Sequence, residues 1–540
     1  MKSTVNWSRQ AKAVKYLPEE PGGVVKGKEC CGRDADGREW IDMHAHSDPK
    51  TGVGCVPHIH EQCLKNGVKH VILSSLGTWD PYPSEAVVRD ANDEAGSCAA
   101  ASDGLIRWLA YLNPQNGNWR TELDRCLTEG AIGIKLWISL RDPAGSIANT
   151  TEVVRVAAAK GLPVLIHTLY RTDPPPSGQL ALHEVSELAR RFPNATLIAA
   201  HAGGFWRCSL GILRHLPSNA LIDISGSFPE QGMLEALVKA VGADRILFGS
   251  DMLGRSLASQ LAKVELATVS ASDKEKILGE NARRIFGPVK RAHGGKKPPK
   301  TRLRLPNTQT DHFCFCGKWP FFKTAGATPR ALDRLLEEAG ITRGFAADLG
   351  SVYRIDLANA NAAFIRTCRN TTRISPLAVI NPRAPDWKST IEMLNKAFAG
   401  VILYPFLHNW RLDDDAYTDF FSALVKTSLP LWINFQLGDP RFRHSGLACR
   451  PVATDELTAF AQAYPNIRVI IQGATRDQVF AFLKHHPNHD NYRFELSRLT
   501  DTSGALATAL TEFGTARFVM GSEFPLRDIR EVRWAADRER

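Results

Sequence analysis

The chain has 540 residues, of which 44% are hydrophobic and 8% aromatic, and it carries a formal net charge of +10. No run approaches the roughly 18 apolar residues of a membrane span, which excludes helical membrane insertion. The length suits two units of about 250 residues each better than one ordinary domain.

The opening "MKSTVNWSRQAKAVKYLPEE" has no apolar core of signal-peptide length, so residues 1–40 read as an N-terminal extension and a cytoplasmic location is expected. Eleven cysteines, an odd number scattered along a long chain, suit free thiols in a reducing compartment. Cys30-Cys31 and Cys314-x-Cys316 lack the two-to-four-residue spacers of zinc knuckles and read as ordinary thiols.

From 41 to 287, apolar runs ending in polar residues alternate with amphipathic stretches. "WIDMHAH", "KHVILSSL", "IRWLAYLNP", "AIGIKLWIS", "LPVLIHT", "ATLIAAHAGG", "ALIDISGS" and "RILFGSDM" are eight candidate strands, with helices such as "TTEVVRVAAAKG" and "LHEVSELARRF" between them. Eight parallel strand–helix units make a barrel, and such barrels build their sites at the C-terminal strand ends. Between Gly287 and Thr310, Lys290, Arg291, Lys296, Lys297, Lys300, Arg302 and Arg304 stand with Gly and Pro pairs and no acidic residue. Residues 288–310 therefore read as a basic linker. The segment lacks the interleaved aromatics of a nucleic-acid arm, so no nucleic-acid partner is expected.

Residues 311–540 repeat the first unit. "YLNPQNGNW" returns as "VINPRAPDW" at a shift of 268 (381 − 113), "LPVLIHTLYRTDP" as "LPLWINFQLGDP" at 267 (430 − 163), and "RILFGSDM" as "RFVMGSEF" at 272 (522 − 250). A period this long means duplication of a whole domain, so the expected architecture is α/β, two tandem TIM-like (β/α)8 barrels of which the second is degenerate.

His44 and His46 sit one residue apart on the first strand, where i and i+2 share a face. Lys135, His167, His201 and Asp251 stand at the ends of the fourth, fifth, sixth and eighth strands. Imidazoles and a carboxylate converging on one mouth suit zinc or another divalent transition metal, and burying them together without a cation is costly. His58-x-His60 copies the first spacing but leads into a helix, where i and i+2 diverge, and reads as surface.

From "IDMHAHSD" through "PVLIHT", "LIAAHAGG" and "RILFGSDM" to "KILGENARRIFG", this half resembles the amidohydrolase superfamily, in the amidohydrolase-related branch that also holds metal-dependent decarboxylases. The resemblance implies His44, His46, His167 and Asp251 as metal ligands and His201 as the proton-transfer residue, with His201 and Asp251 catalytic. It implies one divalent ion, zinc first and manganese second, with a further ion only if Lys135 is carboxylated as a bridge. A protonated Lys135 instead pairs with an acidic substrate. Arg171 and Trp206, with Tyr170 and Phe205, follow metal-site strands and are expected to line a substrate pocket, where Arg171 can hold a carboxylate.

Carried into the second half, the alignment puts Phe313 and Phe315 at the places of His44 and His46, Ile402 at Lys135, Asn434 at His167, Gly473 (with Gln472 beside it) at His201, and Glu523 at Asp251. Phenylalanine offers no lone pair, so this copy is expected to be catalytically inactive and to dock on the first as an intramolecular pseudo-dimer partner, with a homo-oligomer also open. The expected function is hydrolysis of an amide, lactone or ester bond in a small molecule by metal-activated water, the alternatives being non-oxidative decarboxylation of an unsaturated or aromatic acid and non-catalytic ligand binding.

Overall fold

The computed structural model describes residues 39–172, 176–288, 303–324, 326, 328–394, 397–444, 446–447 and 449–539. The N-terminal extension to residue 38, Cys30-Cys31 and most of the basic linker lie outside them. Glu39 to Arg540 is one compact unit.

In the first half, all eight candidate strands are present, with the third interrupted at Leu109. They are β1 (Trp40–His46), β2 (Val68–Ser74), β3 (Ile106–Trp108), β4 (Ala110–Leu112), β5 (Ile134–Leu136), β6 (Pro163–Ile166), β7 (Thr196–Ala199), β8 (Ala220–Asp223) and β9 (Ile246–Leu247). Pairing is parallel throughout, in the order β1-β2-β3 and β4 through β9. The open edges meet, because Met43 N donates to Phe248 O at 3.0 Å and Asp251 N to His44 O at 2.7 Å. Ile41, Ile72, Leu109, Leu165, Ile198, Leu221 and Leu247, drawn from around the sheet, form one buried cluster.

The helices form where the amphipathic stretches predict them. Ala148–Lys160 buries Val153, Val154 and Ala157 and ends at Gly161, whose φ of +67° a side chain would resist. Leu182–Arg191 buries Leu182, Val185, Leu188 and Ala189 at helical spacing.

In the second half, β10 (Thr310–Cys316), β11 (Arg343–Asp348), β12 (Ile374–Val379), β13 (Gly400–Leu403), β14 (Leu431–Asn434), β15 (Val469–Gln472), β16 (Tyr492–Glu495) and β17 (Phe518–Val519) form one eight-stranded parallel sheet in chain order. It is a nearly closed barrel, since Phe315 N reaches Phe524 O at 2.8 Å. Cys314 and Cys316 are buried against Leu332 and Leu336, as core thiols.

One irregularity positions the site. Ile41 and Met43 both face the apolar interior, so strict alternation would turn His44 and His46 outward. The register slips between Asp42 and Ala45. This bulge reverses the parity of the strand, and Asp42 Oδ1 accepts from His44 N at 3.2 Å within it. The same slip lies between Asp311 and Cys314 on β10.

Candidate metal centre

His44 and His46 end β1 and are buried. Asp223 Oδ2 holds His44 Nδ1 at 2.8 Å, and the Ser74 carbonyl holds His46 Nδ1 at 2.9 Å. Carboxylate and carbonyl both accept, so each Nδ1 carries the proton and each Nε2 is left with a lone pair. Those two Nε2 atoms face one another at 3.2 Å. Asp251 Oδ1 stands 3.4 Å from His46 Nε2. Lys135 Nζ answers the His44 lone pair alone, and the spacing of the two nitrogens and the carboxylate oxygen is that of donors each about 2.1 Å from one ion. The residues therefore fit a divalent ion.

Burial pushes the imidazoles of His44, His46, His167 and His201 well below 6.5, with Lys135 adding to the effect, so they are neutral as metal ligation requires. Burial raises the Asp251 carboxyl to about 6 against the opposing charges of Arg255 and Lys135. Asp251 takes φ +65° and is partly open to the mouth.

His201 Nε2 lies 3.2 Å from His167 Nδ1, a hydrogen bond in which one ring nitrogen donates to the other. His201 Nδ1 faces the Ser225 carbonyl at 3.2 Å and its hydroxyl at 2.9 Å. A Cβ at Gly226 would come within 2.6 Å of His201 Nδ1 and 3.2 Å of Asp251 Oδ2, which places those two groups around one small space that glycine keeps open.

Of the residues expected from the sequence, His44, His46 and Asp251 come together directly, and His167 adjoins them through the ring of His201, 4.9 Å from its own. Lys135 is fully buried with Nζ 2.9 Å from His44 Nε2. Burial lowers it to about 8. It lies at the base of the centre, while Arg171 sits half-buried in the loop after β6. Trp206 is buried in the helix Trp206–Leu213, its indole N–H donating to Glu230 at 3.2 Å and the Arg207 guanidinium 4.2 Å over its ring.

Sequence reasoning missed Asp223. It ends β8 and receives His44 Nδ1, His201 N, Ser225 N and Ser225 Oγ, so its oxygens are committed to orienting the imidazoles rather than to a metal. Its place at a strand end was the available signal. Trp79 was also missed. Its ring stands edge-on to His46 at 5.3 Å and to Trp137 at 5.6 Å, and Trp137 lies 6.5 Å from His167, so an aromatic wall flanks the centre.

Residues 41–287 match the amidohydrolase family model Amidohydro_2. This half is an amidohydrolase domain. No protein of curated function matches the chain. Similar solved structures include 5-carboxyvanillate decarboxylase from Sphingomonas paucimobilis, with 17% identity over 46% of this chain and 98% of that one and a TM-score of 0.37. The dihydroxybenzoic acid decarboxylase from Polaromonas sp. JS666, solved with bound manganese, gives 19%, 46%, 97% and 0.39. Each likeness spans less than half of this chain, and none decides what the amidohydrolase half does.

Proposed function

We propose that the chain is a metal-dependent hydrolase acting on a C–N or C–O bond of a small molecule, with its site in the amidohydrolase half. The observation that carries this reading is the pair of His44 and His46 Nε2 lone pairs converging beside Asp251, with His201 adjoining. A single divalent ion held by His44, His46, Asp251 and His167 would supply Lewis acidity and acidify water near neutral pH. Asp251 accepts the proton of the attacking water as the new C–O bond forms. That proton passes from Asp251 by way of His201 to the departing nitrogen or oxygen as the old bond breaks, which leaves both residues as they began. Trp79 and Trp137 present flat apolar faces to the substrate, and Arg171 is assigned to its carboxylate.

The second reading is non-oxidative decarboxylation of an aromatic or unsaturated acid, which the aromatic wall beside His46 and His167 favours. Metal analysis sets the ion and its count per chain, one for zinc or manganese alone and two if Lys135 is carboxylated. A panel of amides, lactones, esters and aromatic acids, assayed with wild type and Asp251→Asn, separates the reactions: CO2 release without water consumption replaces hydrolysis by decarboxylation. Retained metal with no turnover of any class supports plain ligand binding.

We also read the second half as a degenerate copy of the first. Ser522 N and Oγ bond Asp311 at 3.0 and 2.6 Å as Ser250 bonds Asp42. Gly473 N and Ser497 bond Glu495 as His201 N and Ser225 bond Asp223. Glu523 takes φ +57° as Asp251 takes +65°. These correspondences support two tandem barrels, 41–287 and 311–540, packed as a pseudo-dimer.

A further inference from the structure

Gly226 and Arg498 correspond at a shift of 272 (498 − 226), the register that relates Asp223 to Glu495 and Asp251 to Glu523. In the first half, any side chain at 226 would enter the space between His201 and Asp251. In the second, glycine replaces the histidine, and Arg498 occupies the vacated place, its Nη2 2.9 Å from Glu523 Oε1. A resident guanidinium thus stands where the first half gathers donors for an ion, and it is buried.

That mouth is filled by the first half. The buried Phe228 ring lies under Arg498 at 4.4 Å and Arg527 at 4.7 Å, with Arg255 at 5.4 Å. On either side of it, Pro229 O accepts from Asp528 N at 2.8 Å and Gly226 O accepts from Arg441 Nη2 at 2.6 Å. Arg441 is aimed by Asp439, also 2.6 Å away. The gripping residues follow β14, β16 and β17, at the end of the sheet where the first half carries its metal centre. The gripped loop also presents Ser225, whose hydroxyl lies 3.0 Å from His44 Nδ1 and 2.9 Å from His201 Nδ1.

We infer that the vestigial mouth of the second half is a socket for residues 224–229, and that Arg441 and Arg498, through Gly226 and Phe228, are positioning residues that hold Ser225 against the imidazoles of the first-half centre. The inference rests on the metal centre proposed above. A loop released from its socket would let Ser225 drift and His44 and His201 turn, which weakens metal binding without touching a ligand.

The test uses the full chain and zinc alone. Zinc affinity is measured by chelator competition, and the visible spectrum is recorded with cobalt as the probe, for wild type, Arg441→Met, Arg441→Lys, Phe228→Ala and Arg530→Met. Arg530 is a control for the joining of the halves, because it donates to Leu266 O at 2.7 Å, while its carboxylate partner Asp528 meets the loop only through a backbone N–H that the substitution leaves in place. Thermal unfolding verifies that each variant is folded, and Phe228→Leu, which keeps bulk but loses the ring face, replaces Phe228→Ala if that variant is not. Arg441→Met and the Phe228 variant should bind zinc about tenfold more weakly and shift the cobalt spectrum, whereas Arg441→Lys and Arg530→Met stay within about twofold of wild type. Unchanged zinc affinity in both loop variants overturns the socket, as does an equal loss in Arg530→Met, which would mark general loosening of the halves. Wild type that binds no zinc, manganese or cobalt overturns the metal centre and the socket with it.

Discussion

Asp223 Oδ2, at the end of β8 two strands round the barrel from β1, holds the Nδ1 of His44 at 2.8 Å. That contact decides which nitrogen of His44 keeps its lone pair. Asp223→Asn keeps the shape and removes the charge, so zinc affinity should fall about tenfold or more while the fold persists. Chelator competition beside circular dichroism measures both; unchanged affinity would mean that Asp223 does not orient His44.

His201 is assigned to proton delivery. In His201→Ala, turnover should fall about 10²- to 10⁴-fold with metal content retained. Metal analysis of the assayed protein separates this outcome from simple loss of the ion.

Metal binding should depend on pH through Asp251. Burial raises its carboxyl to about 6, so a proton competes with the ion below that pH, and apparent affinity should drop about tenfold per unit as pH falls under 6. In the metal-free protein the sign is opposite. A carboxyl raised from 3.8 to about 6 contributes stability that is fully present below 3.8 and lost as pH rises through 6. Unfolding midpoints with and without zinc between pH 4 and 8 should therefore diverge as pH rises.

Lys135 is the cation nearest the lone pair of His44, at 2.9 Å. Lys135→Met should destabilise metal-free protein by about 3 kcal/mol, since it leaves buried carboxylates uncompensated, and metal-loaded protein much less. Comparing denaturant midpoints with and without zinc checks this, and equal losses in both would place Lys135 in a purely structural role.

Trp79→Ala removes one face of the aromatic wall, while His46 keeps its bond to the Ser74 carbonyl. KM for a planar substrate should rise about tenfold with zinc affinity unchanged, whereas a small aliphatic amide should be unaffected. Steady-state kinetics on the two substrate types decide it.

Much of the strand framework of both halves is legible in the sequence, because buried parallel strands are apolar runs whose polar ends stand out. His44, His46 and Asp251 can be found for the same reason. Asp223 cannot be separated from other acidic strand ends, because its role depends on which ring nitrogen of β1 it meets. The bulge between Asp42 and Ala45 is equally hidden, since the alternation of "WIDMHAH" reads as regular while the pairing with β2 slips. Trp206 shows how little sequence adjacency says of a side chain's partners: its indole N–H donates to Glu230 and its ring lies under Arg207. Arg441 enters the picture only through contact between distant segments.

The grip of the 439–443 segment on the amidohydrolase half also includes Thr172, whose N–H donates to Arg441 O at 3.0 Å and whose hydroxyl donates to Arg443 O. Because both sides of this contact belong to one polypeptide, dilution cannot separate them. Specific activity should accordingly hold constant down to nanomolar enzyme, where a reversible pair of separate subunits would fade.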